Sequence, residues 1–317
     1  MGLLPLRGRQ MTQSALNIAG RDAELMAHLF TVMMVGAVIV WAAVIAAAIY
    51  AMRGKRGQHT EREATLFIIG GGVALPTVAL AALLWYGLPM LPQVMALAPA
   101  DAPRIRVVGK QWWWRVQYVT PAGLVETANE LRLPVGIRVE LELSSPDVIH
   151  SFWVPSIAGK MDMIPGRITR LALEPTRTGT FRGTCAEYCG ASHALMAFDV
   201  IVTDRAAFES WVQTQAAPAV APSDQIALRG QEAFLTNGCS ACHTIRGTPA
   251  AGRIGPDLTH VASRMSIGAA SLPNQADALV RWIRDTDHVK PGVHMPAFRA
   301  LPGDDLTALA AYLGGLK

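Results

Sequence analysis

Charge is what this 317-residue chain has least of: Asp, Glu, Lys and Arg make up 16% of it, against about a quarter in an average globular protein. Neither sign dominates, and a net charge of +4 is too small for the concentrated basic face of a nucleic-acid binder. Cysteine is equally scarce, and four residues exclude a disulfide-dense scaffold. The segment before Met26 lacks the apolar core of a cleavable signal peptide, its longest apolar run being Leu3 to Leu6. No internal repeat is visible.

What is present begins with two long uncharged windows, Leu25–Met52 (28 residues) and Ala64–Ala100 (37 residues). About 20 apolar residues suffice to cross the hydrocarbon of a bilayer. Residues 25–100 therefore read as a transmembrane hairpin after an N-terminal extramembrane segment, 1–24, with the first span as an uncleaved anchor. The second span, Leu66 to about Leu91, contains Gly70-Gly71-Gly72 and Pro76, with Trp85 and Tyr86 suited to an interfacial belt. Pro89, Pro92 and Pro99 are expected to end it. The loop with Arg53, Lys55 and Arg56 reads as cytoplasmic by the positive-inside tendency. Both termini and everything beyond residue 100 would then face the outer, periplasmic side.

Beyond residue 100 the pattern becomes short β-rich runs: Ile105–Val108, Trp112–Val119, Arg138–Leu143, Ile168–Leu173 and Phe198–Val202. Val139, Leu141 and Leu143 alternate with Arg138, Glu140 and Glu142, the signature of a half-buried strand. Residues 101–212 thus predict an all-β sandwich or barrel closed by a short helix over Arg205–Gln213. Next come an uncharged Ala/Pro-rich linker, 213–223, and a helical remainder, 224–317.

The four cysteines form two pairs. Cys239-Ser240-Ala241-Cys242-His243 is the C-x-x-C-H attachment sequence for c-type haem: two thiols add to the vinyl groups and the adjacent imidazole faces the iron. With Gly255-Pro256-Asp257-Leu258 and His294-Met295-Pro296 downstream, it resembles an all-α class I cytochrome c. That resemblance implies Met295 as the sixth ligand and a Pro256 carbonyl supporting His243. Met265, His260, His288 and His294 remain rival ligands. A Met/His pair raises the reduction potential.

The first pair lies in Cys185-x3-Cys189-x3-His193-x2-Met196, with His150 upstream. This soft, sulfur-rich set suits copper; a disulfide or a tetrahedral zinc site is the alternative.

Asp147 to Met196, including Gly159-Lys160-Met161-Asp162-Met163-Ile164-Pro165-Gly166, closely resembles subunit II of haem–copper cytochrome c oxidases. The likeness covers nearly the whole chain if the caa-type branch, with its fused cytochrome c, is the comparison. It implies a cupredoxin-like domain holding a binuclear copper centre, CuA. Cys185 and Cys189 would bridge the two coppers, His150 and His193 bind one each, and Met196 and the Glu187 carbonyl complete the set. By the same resemblance Trp112, in Gln111-Trp112-Trp113-Trp114, is where electrons enter CuA, although a tryptophan in a β-domain is as readily core. The Glu187 carboxylate resembles a ligand to Mg²⁺ with Asp162 in its outer shell. Glu63 resembles the acidic residue at the mouth of a proton channel; a solvated helix-start carboxylate is the alternative.

The implied function is that of the electron-input subunit of a proton-pumping oxidase in a bacterial inner membrane. Electrons would pass from haem c to CuA and on to subunit I, with subunit III and a cytochrome c or other donor as further partners. The spans themselves carry a single imidazole, His28, too few for an oxygen-reducing centre. A CuA subunit of a nitric oxide reductase-like complex, or a membrane-tethered shuttle with no enzyme partner, is the alternative.

Overall fold

The computed structural model describes residues 13–53 and 60–317. The chain forms two units, residues 24–96 and a larger one joining the N-terminal segment up to Ala23 with 97–317.

The smaller unit is helical. α1 (Arg21–Arg53) runs 33 residues without a break. The second rod comprises α2 (Glu61–Ile69), a π-helical turn over Gly70–Ala74, α3 (Leu75–Gly87), a 3₁₀ turn over Leu88–Met90 and α4 (Leu91–Val94). Each rod is long and apolar enough to cross a membrane, and its apolar stretch is not covered by protein. Thr60 opens α2 through a reciprocal cap: its Oγ1 accepts from Glu63 N at 3.3 Å, and Glu63 Oε2 accepts from Thr60 N at 2.9 Å. The widened turn has a local cause. Pro76 has no N–H and its ring crowds the carbonyl four residues back, at Gly72, so an extra residue per turn relieves the clash there. Pro89 and Pro92 do not end the helix as expected. Each sits in the first turn of a new helical segment, where a missing N–H costs nothing, and the rod continues to Val94.

The larger unit contains a cupredoxin-like sandwich of two five-stranded sheets. One has the order β3 (Gly123–Ala128), β2 (Trp113–Thr120), β1 (Arg104–Lys110), β5 (Val139–Ser144), β8 (Thr169–Leu173). The other runs β4 (Glu130–Pro134), β10 (Ala197–Thr203), β9 (Gly179–Cys185), β6 (His150–Trp153), β7 (Met161–Met163). Val139, Leu141 and Leu143 are buried as the alternation requires, and Trp114, Phe152 and Phe198 fill the space between sheets. The alternation is weaker in β9. β9 carries Gly183 in its middle, where a Cβ would overlap the Phe198 ring, so the residue that weakens the pattern is one the packing demands. The N-terminal segment is tied to this sandwich: Ala19 N donates to Ser156 O at 2.7 Å, and buried Asp22 pairs with Arg138 at 3.3 Å.

α5 (Arg205–Ala216), capped by Asp204, runs one turn further than its expected end at Gln213, so the first linker residues are helical. The irregular rest of the linker is fastened to the C-terminal part, with Ala219 N donating to Arg246 O at 2.9 Å and Ala217 O at 3.0 Å from His260 Nε2. That part is an all-α cytochrome c fold: α6 (Gln225–Thr236), a two-residue strand pair β11 (Ser266–Ile267) and β12 (Leu272–Pro273), α7 (Ala276–Arg284), α8 (Thr286–Val289) and α9 (Gly303–Gly315). α6 crosses α9 closely enough that a Cβ on Gly230 would overlap the Ala308 carbonyl, and Phe234 meets Tyr312 edge-on.

Candidate metal centres

The loop from Cys185 at the end of β9 to Met196 before β10 gathers the first sulfur pair. Cys185 Sγ and Cys189 Sγ lie 3.8 Å apart, both thiols free and buried. His150 Nδ1 stands 3.8 Å from Cys185 Sγ and His193 Nδ1 3.5 Å from Cys189 Sγ. Met196 Sδ is 3.8 Å from Cys189 Sγ, and the Glu187 carbonyl 3.2 Å from Cys185 Sγ. Six expected donors thus converge on one place. His150 enters from β6, which the Phe152–Cys185 pairing aligns with β9. Asp147, three residues before His150, carries no motif of its own in the sequence; its Oδ1 accepts from His150 Nε2 at 2.9 Å, which leaves Nδ1 free toward sulfur.

Electrostatics prepare the pair. The bond shared with Cys189, together with His150 and the Ser151 backbone, holds the Cys185 thiol far below its ordinary value despite burial. The same shared bond and burial push Cys189 up. Burial opposes protonation of His150, but Cys185 and Asp147 override it and raise the imidazole. One thiolate is therefore already favoured in a nest of soft donors, and the set fits copper.

The second pair lines a cavity of about 290 Å³ together with His243, Met295, His294, Leu309 and Leu313. Cys239 and Cys242 lie on and just after a 3₁₀ turn, Cys239–Ala241, which starts after Gly238 in the left-handed region. His243 Nδ1–H donates to the Pro256 carbonyl at 2.8 Å, leaving Nε2 for a ligand, and burial lowers the imidazole so that it stays neutral. A Cβ on Gly255 would approach the His243 ring to 2.5 Å. Two thiols, a fixed imidazole, a thioether and an apolar slot fit a covalently held haem. Of the rival ligands only His294 lines this cavity. His260 is spent on the Lys317 and Ala217 carbonyls at 2.8 and 3.0 Å.

Trp112 lies between the two sites. Its Nε1–H donates to the Cys189 carbonyl at 2.9 Å, as Gln111 Nε2–H does at 2.8 Å. Its ring passes 6.3 Å from that of His294 and is 6% exposed. The expected Glu187–Asp162 grouping is less direct. Glu187 Oε1 accepts from Tyr188 N at 3.2 Å, whereas Asp162 Oδ1 is buried with no hydrogen-bond partner. Both border Ser151, which pairs with Asp162 and whose carbonyl accepts from Ala186 N, next to Glu187. Glu63, in the smaller unit, is engaged in the cap of α2.

The family described as cytochrome c oxidase subunit II, periplasmic domain, matches residues 119–203, and the family described as cytochrome c matches 227–317. Cytochrome c oxidase subunit 2 of Alkalihalophilus pseudofirmus is 39% identical over 213 residues, which cover 67% of this chain and 61% of that protein. The Bacillus subtilis protein of the same name is 31% identical over 227 residues, covering 68% and 63%. The matched part spans just over three fifths of the length of these relatives. The crystal structure of the periplasmic domain of subunit II of cytochrome oxidase from Bradyrhizobium japonicum shares 32% identity, covers 38% of this chain and 97% of that one, and has a TM-score of 0.36.

Proposed function

We propose, from the premise that the chain belongs to the cytochrome c oxidase subunit II family, that it is the electron-input subunit of a proton-pumping oxidase in a bacterial inner membrane. Electrons would pass from its cytochrome c domain through its copper domain to an oxygen-reducing centre on another subunit. The observation that carries this reading is Trp112, one indole in contact with both domains, bonded to Cys189 on one side and facing His294, next to Met295, on the other.

When bound, haem c and a binuclear CuA centre supply the one-electron chemistry. The residues of the chain supply position and dryness. Cys185, Cys189, His150, His193, Met196 and the Glu187 carbonyl would hold the coppers; Cys239, Cys242, His243 and Met295 would hold the haem. Asp147 and the Pro256 carbonyl each fix the tautomer of a ligand imidazole. Trp112 is covered and excludes water, so a donor outside the chain would deliver to the cytochrome c domain instead of to the copper domain.

Five finer assignments belong to the same reading. Glu187 would bind Mg²⁺ at the boundary with subunit I, with the unpartnered Asp162 oxygen nearby as its support. Glu63, beyond its capping role, would mark the mouth of a proton channel. Subunits I and III would dock on the hairpin, and both termini would lie on the periplasmic side. The domain limits would be 1–24, 25–100, 101–212, 213–223 and 224–317.

Purification from membranes tests the reading. Co-isolation with a polytopic subunit carrying haem a, two coppers and one covalent haem per copy of this chain, and oxygen uptake are expected. A metal-loaded chain that purifies without any partner would overturn it.

A further inference from the structure

Lys290 is the one lysine of this chain whose side chain is fully buried among the described residues, at 1% exposure. It comes directly after α8 and precedes Met295 by five residues. Its Nζ donates to three backbone carbonyls: Trp112 O at 2.6 Å, Leu195 O at 2.9 Å and Gly268 O at 2.9 Å. An ammonium has three N–H bonds, and each finds an acceptor. Two of the acceptors belong to the copper domain, one on the residue that covers Cys189 and one beside Met196. The third belongs to the cytochrome c domain, where Gly268 takes a left-handed conformation against the Trp282 ring.

Among the described residues no carboxylate bonds this group, and burial lowers its pKa to about 7. Burying an unpaired charge costs several kcal/mol unless its donors are satisfied. Here satisfaction requires both domains at once, and in one relative placement, because three fixed carbonyls define a single point. The surrounding contacts agree with that placement. Ser192 Oγ–H donates to Pro291 O at 2.6 Å, and Gly292, with φ of +79°, lies so close that a Cβ would come within 2.9 Å of the Trp112 ring. Further along the seam, Met265 N donates to Glu130 Oε2 at 3.0 Å and Arg115 Nη2 to Arg253 O at 2.6 Å.

We propose that Lys290 is an interdomain positioning residue: by satisfying carbonyls of both domains it seats the 290–295 loop of the cytochrome c domain on Trp112 and holds the two domains docked as a resident arrangement. The linker then serves as a covalent tie between parts that stay together, and not as the tether of a swinging carrier. The proposal concerns docking and is independent of which way electrons move across the seam.

The test is amide hydrogen exchange on the full-length, metal-loaded chain in detergent, comparing wild type with Lys290→Met, which keeps the stem and removes the donors. Protection in peptides covering 109–114 and 190–196 on one side, and 264–270 on the other, is expected to fall about tenfold or more. The haem and copper absorption bands, and exchange within β9, β10 and α9, are expected to stay unchanged. Wild-type protection on both sides of the seam would overturn the proposal. So would loosening confined to 264–270 with an altered haem spectrum, which would make Lys290 an internal brace of its own domain. If Lys290→Met loses its cofactors, Lys290→Gln, which retains an amide donor, is read the same way: partial deprotection of both faces supports the latch, and wild-type protection rejects it.

Discussion

The two cysteine pairs place the same residue type in different electrostatic settings. Cys185 and Cys189 are buried within reach of each other and of four further donors, and their shared bond draws Cys185 toward thiolate. Cys239 sits at the lip of an apolar cavity, and burial raises its thiol instead. The difference suits the group that each pair is proposed to meet. Thiolate is the form that binds a metal ion, and in this loop Cys185 is drawn toward it while the same shared bond and burial raise Cys189. A thioether would form by addition of S–H across a vinyl double bond, so a Cys239 thiol that keeps its proton would suit haem attachment, and the domain offers an apolar slot in place of a charge. The first site is complete in its side chains; the second is a mould.

That contrast breaks most sharply at Cys189. Cys189→Ser should abolish the near-infrared band of a mixed-valence copper pair and leave the haem c spectrum intact, since the two sites share no ligand. Unchanged copper content would refute the bridging assignment. The matching change on the other side is Met295→His. Replacing a thioether by an imidazole is expected to lower the haem potential by on the order of 0.1 V, inside the ~0.8 V range that axial ligands span. A potentiometric titration that shows no shift would pass the role to another residue, with His294 first in line because it alone of the rivals borders the cavity.

How far each site is legible in the sequence tracks how local it is. The proposed copper donors other than His150 fall within twelve residues of one loop, so their spacing exposes them, and the C-x-x-C-H string does the same for the proposed haem site. The residues that join the two domains are spread over the chain. Lys290, Arg115, Glu130 and Asp199 look like ordinary polar residues until the fold brings their partners from 67 to 178 positions away. The strand β6, which delivers His150, is four residues long and too short for a period to show. The hairpin is legible from composition alone, whereas its continuation to Val94 is not, because a proline that ends one helix can also begin the next.

The mould is tested by filling a space instead of removing a ligand. Gly255→Ala would push a methyl to 2.5 Å from the His243 Cε1. Overpacking of this kind costs about 1–3 kcal/mol. The cytochrome c domain should therefore melt several degrees lower while the copper-domain transition stays in place. Equal melting of variant and wild type would mean that the His243 ring has room to retreat, and that the slot is less fixed than the Pro256 bond implies.

The smallest effect is expected where the two domains meet. Glu130 and Asp199 face the seam, the first bonded to Met265 N and Arg132, the second to Ser266 Oγ, with Arg182 and Arg264 the other charged groups nearby. Burial raises both carboxyls above their ordinary values of 4.5 and 3.8. A group whose value is raised in the folded protein binds its proton more tightly there. Its contribution to stability is therefore complete below the ordinary value and is lost as pH rises through the folded one. Amide protection of residues 264–270, corrected for intrinsic exchange, should be greater at about pH 5 than at about pH 8. Asp199→Asn keeps an acceptor for Ser266 and removes the titration, so it should flatten part of that slope. A slope of the opposite sign would show that the neighbouring arginines, and not burial, govern these carboxyls, and the seam would then resemble the charge-prepared copper loop more than the haem mould.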